Sequence, residues 1–501
     1  MLTTYDHDED LQADIVRAFE RGEVEGVPTP VERIDTNLNH VFLAGDRVYK
    51  IKRARRLPFV DFRSLEQRRK ACEAELAINR RLGSPFYLAV ERLVRRGKAF
   101  AFGHGENVAE WVVVMKRFHD DQRFDLLAAA GRIGLTEAED AARMIADMHA
   151  KAPVFRSGGH AADYRQVIHN LRRTEEDGAA AQGLSISGDR LYEQLDNELS
   201  RIDPLIEERR DLGRVRRAHG DLHLGNICLF EGRPTAFDAL EFDERMATTD
   251  VLYDLAFFLM DLTHCGLRRE ANAAMNCYWE EARESESALA LLPFFVALRA
   301  AVRMAVAVES GDLEGAHSYR SLALQLLKHD RPMMLAIGGL SGVGKSALAR
   351  EVAPFLPGGV GARIIRSDVV RKRSLGIGVE SQADRGAYAP ERRAATYREM
   401  LAYAAAAAGA GASVVVDATF QAEGMRETLA AALPAARRIW LEAPLELRLA
   451  RVGARVSDAS DADVSVAVAQ EAIIDPGPDW ERVDAGRPLA DIAEAVLKGS
   501  Q

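Results

Sequence analysis

Gly339-Leu340-Ser341-Gly342-Val343-Gly344-Lys345-Ser346 follows the apolar run Met333-Met334-Leu335-Ala336-Ile337 and leads into Ala347-Leu348-Ala349-Arg350. Strand, glycine loop and helix start form the setting that G-x-x-x-x-G-K-[ST] needs to hold phosphate. Gly339, Ser341, Gly342, Val343 and Gly344 supply consecutive backbone N–H groups that turn inward around phosphate oxygens. The helix N-terminus adds its partial positive charge. Lys345 is placed to reach the β- and γ-phosphates, and the Ser346 hydroxyl to ligate Mg²⁺.

Downstream, the spacing predicts strands over 333–337, 362–366, 413–417, 437–442 and 480–484, with helices between them, including Glu391–Ala408. Alternating strands and helices imply an α/β domain with a parallel doubly wound sheet, whose ligand crevice lies at the carboxyl ends of the strands. Ser367-Asp368-Val369-Val370-Arg371 follows the second strand. Asp368 is placed to take the proton from a substrate hydroxyl, or simply to cap a helix, and Arg371 to hold a substrate phosphate. Asp417 ends the third strand in Asp417-Ala418-Thr419, and is placed to position Mg²⁺ or to bind substrate. Arg448, Arg451 and Arg455 recur at i,i+3 and i,i+4 spacing on one helix face. That face is either a solvated basic surface or a lid closing on the transferring phosphoryl group, with the acidic stretch 458–463 as its tip. Residues 331–501 resemble AAA-type P-loop kinases of the gluconate kinase, polynucleotide kinase and zeta-toxin type. The resemblance implies ATP and Mg²⁺ as cofactors and Thr419 and Arg371 as substrate contacts. It makes the insertion from about 373 to 392, with Arg385, Tyr388 and Arg392, the acceptor pocket.

Upstream, Val41–Ala44 and Val48–Lys52 read as two strands joined by the turn Gly45-Asp46-Arg47, and a charged helix is expected over about 64–82. Further strands are expected at 88–94, 99–103 and 111–115, and helices at 136–150, about 163–211 and 250–327. One polar insertion interrupts the helical part: His219-Gly220-Asp221-Leu222-His223-Leu224-Gly225-Asn226, with Phe237-Asp238 beyond it. An Asp and an Asn five residues apart on one loop can serve a hydroxyl proton and a metal, and a second Asp after the next hairpin can bridge metal and phosphates.

H-G-D-x-x-x-x-N followed by an apolar-Asp strand resembles aminoglycoside phosphotransferases and choline kinase-like enzymes, small-molecule relatives of protein kinases. The resemblance implies an N-terminal α+β, protein-kinase-like bilobal fold over 1–328, with a small lobe at about 30–118 and a helical large lobe at about 119–328. It makes Asp221 the catalytic base, Asn226 and Asp238 the Mg²⁺ ligands, and His219 and Asp254 structural supports. His223 is a loop brace or a substrate contact. Lys50 is the phosphate-pairing lysine, with Lys52 on the same face as runner-up, and Glu75 fits the partner glutamate better than Glu73. Trp111–Lys116 is the expected hinge strand beside adenine. Glu241 and Asp243 lie close enough to affect the site, or form a solvated turn. Thr36–Phe42 stands where a Gly-rich nucleotide loop would be. No D-F-G or A-P-E segment lies within residues 1–328, and no room is left there for an activation loop, which argues against protein substrates.

Composition narrows the function class. The 501 residues are 48% hydrophobic and 28% charged, with a net charge of −10, so a broad nucleic-acid or membrane surface is not expected. Cys72, Cys228, Cys265 and Cys277 form no metal-ligand spacing and read as thiols in a reducing compartment. Met1–Asp10 is polar and acidic, unlike a signal peptide, and Arg299 and Arg303 break the longest apolar run, so the expected location is cytoplasmic. The whole resembles a bacterial family described as bifunctional aminoglycoside phosphotransferase/ATP-binding proteins. The expected function is phosphoryl transfer from ATP, with GTP as the alternative, to hydroxyls of small molecules at two sites. Two other readings stay open: one half as a nucleotide sensor, and a nucleic-acid hydroxyl kinase.

Overall fold

The computed structural model describes residues 4–57, 60–97, 99–105, 107–181, 190–241, 247–379, 381–382, 385–454, 468 and 474–499. By contacts the chain divides into two compact units: Met1–Asp163 with Ile206–Asp261, and Tyr164–Leu205 with Leu262–Gln501.

The first unit is built on a seven-stranded sheet among the described residues. Its order is Val24–Glu25, Ala99–Phe102, Tyr87–Arg96, Val108–Lys116, Arg47–Lys52, Asn39–Ala44 and Val31–Asp35. Alternation along Arg47–Lys52 decides what each face carries. Tyr49 and Ile51 point into one core with Phe42, Val112 and Val114, closed by Ile15 and Phe19 of the helix Thr4–Glu20. Val48 points to the other face, where Cys72 of the helix Leu65–Arg81 packs with Val113 and Met115. Lys50 and Lys52 share that parity. The helix starts at a capping box in which Ser64 and Gln67 satisfy each other's backbone N–H groups. It is tied to the sheet by the buried pair Arg68–Glu110 at 2.9 Å. Two strands of this sheet were not expected: the two-residue edge strand Val24–Glu25, and Val31–Asp35, whose mostly exposed side chains give no core signal.

The second unit contains a five-stranded parallel sheet, in the order Arg363–Arg366, Val414–Asp417, Met334–Gly338, Arg437–Glu442 and Glu481–Asp484. Leu335, Ile337, Val415, Ile439 and Leu441 form its core with Leu348 and Val352 of the helix Lys345–Val352 and Ile492 and Val496 of the helix Leu489–Lys498. Each strand lies within one residue of its expected span. The edge strand Arg363–Arg366 does not face water. Asn276, on the helix Arg268–Glu281, accepts from Ile364 N at 2.8 Å and Arg363 Nη1 at 3.0 Å, and Glu286 pairs with Arg363 Nε at 3.1 Å. Asn272 donates to the carbonyls of Val360 and Ala362, both at 2.9 Å. These buried contacts explain why residues from Leu262 onward sort with the phosphate-loop sheet, whereas the sequence suggested a boundary near residue 330. The fold class is the one the sequence implied, kinase-like α+β followed by a P-loop α/β sheet. Among the described residues, the stretch Glu286–Ser310 is long and apolar enough to cross a membrane, yet 78% of its most apolar window is buried inside the protein.

Candidate active sites

The first cluster lies wholly in the first unit. Lys50 Nζ stands 2.8 Å from Glu75 Oε1 and 2.5 Å from Asp238 Oδ1. Lys52 Nζ is 2.6 Å from the other oxygen of Glu75 and pairs with Glu241. Both lysines, separated by one strand repeat, therefore share one carboxylate. Glu73 faces outward to Arg69 at 3.3 Å. Burial works against the charge on Lys50, but Asp238, Glu75 and Glu241 outweigh it and raise its pKa. Burial also opposes ionisation of Glu75, and Lys50 and Lys52 nevertheless hold it below the usual carboxylate range. Glu241 goes the other way: burial pushes its carboxyl up despite Lys52.

The helix that carries Glu75 also carries Asn79 four residues on, on the same face. Asn79 Oδ1 accepts from Ala239 N at 3.1 Å, and Tyr87 Oη accepts from Asp238 N at 3.1 Å. Asp238 is held between them with φ 63°, a left-handed conformation that Asp tolerates better than most residues. The ribbon Ile227–Phe230/Arg233–Ala236 brings Asp238 back beside the 219–226 loop: Phe237 N donates to Asn226 O at 3.0 Å and Leu240 N to His219 O at 3.0 Å.

Inside that loop, Asn226 Nδ2 donates to Asp221 O at 2.9 Å and to Asp221 Oδ2 at 3.1 Å. His219 Nδ1 accepts from Asp221 N at 3.3 Å while Nε2 sits 2.9 Å from Phe237 O. That pattern suits a neutral ring with its proton on Nε2, and burial lowers the His219 pKa. Asp254 accepts from His219 N at 3.1 Å and Gly220 N at 2.8 Å, and pairs with His149 at 3.0 Å. Gly220 has φ 87°, and a Cβ there would come within 2.9 Å of both Ala247 and Leu240. His223 Nδ1 accepts from Gly225 N at 3.1 Å, so the ring braces the loop, and its Nε2 lies 3.5 Å from Asp221 Oδ2. Asp221 remains about one-third exposed, at 36% of its side chain. Asp243 lies outside the described residues. A carboxylate open to solvent, an amide and carboxylate pair, and a buried lysine are the parts needed to orient a hydroxyl, hold a divalent cation and grip phosphate oxygens.

The second cluster lies wholly in the second unit, at the carboxyl ends of the parallel strands. Ser346 Oγ donates to Asp417 Oδ2 at 2.5 Å across the foot of the phosphate loop. A hydroxyl and a carboxylate in contact are hard oxygen donors of the kind Mg²⁺ takes. Lys345 Nζ lies 3.1 Å from Leu340 O, folded over the loop. Gly339, Gly342 and Gly344 all have positive φ, and at Gly342 (φ 83°) a Cβ would fall 2.5 Å from Arg448 O. Arg448 Nη1 donates to Ser341 O at 3.4 Å, and Arg451 donates to Val343 O and Ala485 O, both at 2.8 Å. Because a trans peptide points C=O and N–H in opposite directions, anchoring the Ser341 and Val343 carbonyls on these guanidinium groups turns the N–H of Gly342 and Gly344 the other way. Arg451 was expected as a catalytic lid residue. Here it braces the loop instead, because two backbone carbonyls occupy its guanidinium. Arg455 and the acidic stretch 458–463 lie outside the described residues.

Asp368 is paired with Arg371 Nη1 at 2.5 Å. Thr419 Oγ1 lies 3.2 Å from Tyr397 Oη, which also accepts from Phe420 N at 3.0 Å. Burial raises the Tyr397 pKa. Of the expected acceptor pocket, Arg392 is exposed, and the side chains of Arg385 and Tyr388 lie outside the description. Sequence reasoning missed Tyr397, hidden in an alanine-rich helix. It also missed Arg366, whose Nη2 lies 3.3 Å from Ser346 Oγ and whose Nε lies 3.5 Å from Asp417 Oδ2. A cation closing the strand just before Ser367-Asp368 was the available signal.

A strand–glycine loop–helix unit on a five-stranded parallel sheet defines the C-terminal part as a P-loop domain, and residues 334–475 match a family described as an AAA domain. Uncharacterized proteins of Mycobacterium tuberculosis and Mycobacterium bovis are each 32% identical to the chain over 479 residues, covering 91% of this chain and 92% of theirs. The chain belongs to the family of these mycobacterial proteins. Among solved structures, a gluconokinase from Sinorhizobium meliloti 1021 is similar at 23% identity, covering 34% of this chain and 91% of that one, with a TM-score of 0.26. A choline/ethanolamine kinase family protein from Mesorhizobium loti is similar at 13% identity, covering 64% of this chain and 95% of that one, with a TM-score of 0.40.

Proposed function

We propose that the chain is an ATP- and Mg²⁺-dependent phosphotransferase with two kinase sites, each acting on a hydroxyl of a small molecule such as a sugar or nucleoside derivative. The observation that carries this reading is the double set of parts: Lys50 gripped between Glu75 and Asp238 beside the Asp221–Asn226 loop, and Ser346 against Asp417 beneath the phosphate loop. In the first site Asp221 orients the acceptor hydroxyl and receives its proton as the oxygen attacks the γ-phosphorus. The bond from that phosphorus to the ADP oxygen breaks, and Lys50 holds phosphate oxygens in line. In the second site Asp368 takes the acceptor's proton, the loop amides and Lys345 hold the phosphates, and Arg371 and Thr419 contact the acceptor. Asn226 with Asp238, and Ser346 with Asp417, are the residues that would hold Mg²⁺, which would supply positive charge to offset that of the phosphates. We place the reaction in the cytoplasm, and the acidic surface balance makes a small acceptor preferable to nucleic acid.

The test uses Asp221→Ala and Lys345→Ala proteins, each assayed with labelled ATP and a pool of sugars, nucleosides and oligonucleotides. Each variant is expected to lose part of the wild-type transfer. If both keep it in full, the two-site reading fails. If Lys345→Ala alone abolishes transfer, the first cluster is a sensor or scaffold.

A further inference from the structure

We propose that Arg366 is the cation that the phosphate-loop site supplies from its own chain to the γ-phosphate, and that it lets this site distinguish ATP from ADP. This rests on the phosphate-loop kinase reading above. Arg366 ends the edge strand Arg363–Arg366 and stands in register with Asp417 on the neighbouring parallel strand. Its Nη2 lies 3.3 Å from Ser346 Oγ and its Nε 3.5 Å from Asp417 Oδ2. Those are the two groups that would hold Mg²⁺ in the proposed site. A guanidinium against them is therefore placed to meet the terminal phosphate.

The other arginines around the site, among the described residues, are committed differently. Arg448 and Arg451 grip carbonyl oxygens of the phosphate loop from outside. Arg371 is paired with Asp368, and Arg363 with Glu286 and Asn276. Arg366 is also buried, at 9% exposure, so its charge acts where water screens poorly. Its backbone is fixed by the Asn276 and Glu286 contacts two and three residues earlier in the strand. A preorganised, desolvated cation aimed at developing negative charge is the arrangement that stabilises phosphoryl transfer most. The bland alternative is that Arg366 only neutralises Asp417 within the fold.

The experiment measures binding of a fluorescent ATP and a fluorescent ADP, with Mg²⁺, to full-length protein. The component that Lys345→Ala removes is assigned to this site. For Arg366→Ala we expect ATP to bind roughly tenfold or more weakly, as for loss of a charge-assisted hydrogen bond, with ADP within about twofold of wild type. Arg366→Lys, which keeps the charge and the fold, should fall between them. ATP and ADP weakening together, or neither changing, would overturn the assignment while leaving the kinase reading intact. Wild-type protein with no Lys345-dependent component would overturn that reading and the assignment with it.

Discussion

Replacing Glu75 by Gln removes one charge from a buried cluster without changing its shape. Glu75 is fully buried, and its two oxygens lie 2.8 Å from Lys50 and 2.6 Å from Lys52. At an effective dielectric near 20, each contact is worth about 6 kcal/mol of gross attraction. Most of that offsets the removal of three ions from water, and what is lost when one partner of a buried pair is removed is typically about 3–5 kcal/mol. Asp238 and Glu241 still face the two lysines, so Glu75→Gln is expected near the lower end, about 3 kcal/mol. Amide exchange along Arg47–Lys52 reads this locally, and protection there should fall roughly 100-fold. Glu73→Gln is the control, because that carboxylate sits in an exposed pair worth under about 1 kcal/mol. Equal losses from the two variants, or no change in strand protection for Glu75→Gln, would refute the cluster's energetic role.

Gly342→Ala should weaken the Lys345-dependent nucleotide binding about tenfold, since a left-handed φ costs about 1–2 kcal/mol and the new methyl meets Arg448 O. Titration with labelled nucleotide checks it. Burial lowers the His40 pKa from 6.5, more than Asp35 restores it, so the neutral ring's contribution to stability is complete above about pH 6.5 and is lost as pH falls through the folded value. His40→Gln should flatten the decline in urea stability below pH 6.5. Cys265 is exposed, whereas burial pushes the Cys228 thiol up to about 12 and that of Cys72 higher still. Maleimide followed by mass mapping should label Cys265 in the native protein, and Cys72 and Cys228 only after unfolding.

The second unit's sheet was legible because its central strands are short apolar runs, and two of the parallel strands end at the crevice in an Asp or a glycine loop. The choice of Glu75 over Glu73 was legible too, since two residues turn a helix by more than half a circle and only one position can face the sheet. Val31–Asp35 was not, because an exposed edge strand leaves no buried alternation to read. Arg366 and Tyr397 were invisible for a related reason. A cation at a strand end reads as solvated, and a tyrosine among alanines reads as core, until register and burial show what they face. The grouping of residues 262–330 with the phosphate-loop sheet depends on Asn272, Asn276 and Glu286, polar residues that a sequence scan assigns to a helix surface.

The clamp on Arg363–Arg366 has a consequence for how this protein can be cut and reassembled. A fragment beginning at residue 331 would keep every signature residue of the phosphate loop and still expose the Ile364 amide and the Arg363 guanidinium that Asn276 and Glu286 satisfy. The portable module is therefore not the contiguous last third of the gene. Any recombination that moves the phosphate-loop machinery must carry Tyr164–Leu205 as well as the helices from Leu262 onward, so the two encoded halves are inherited as one interleaved object.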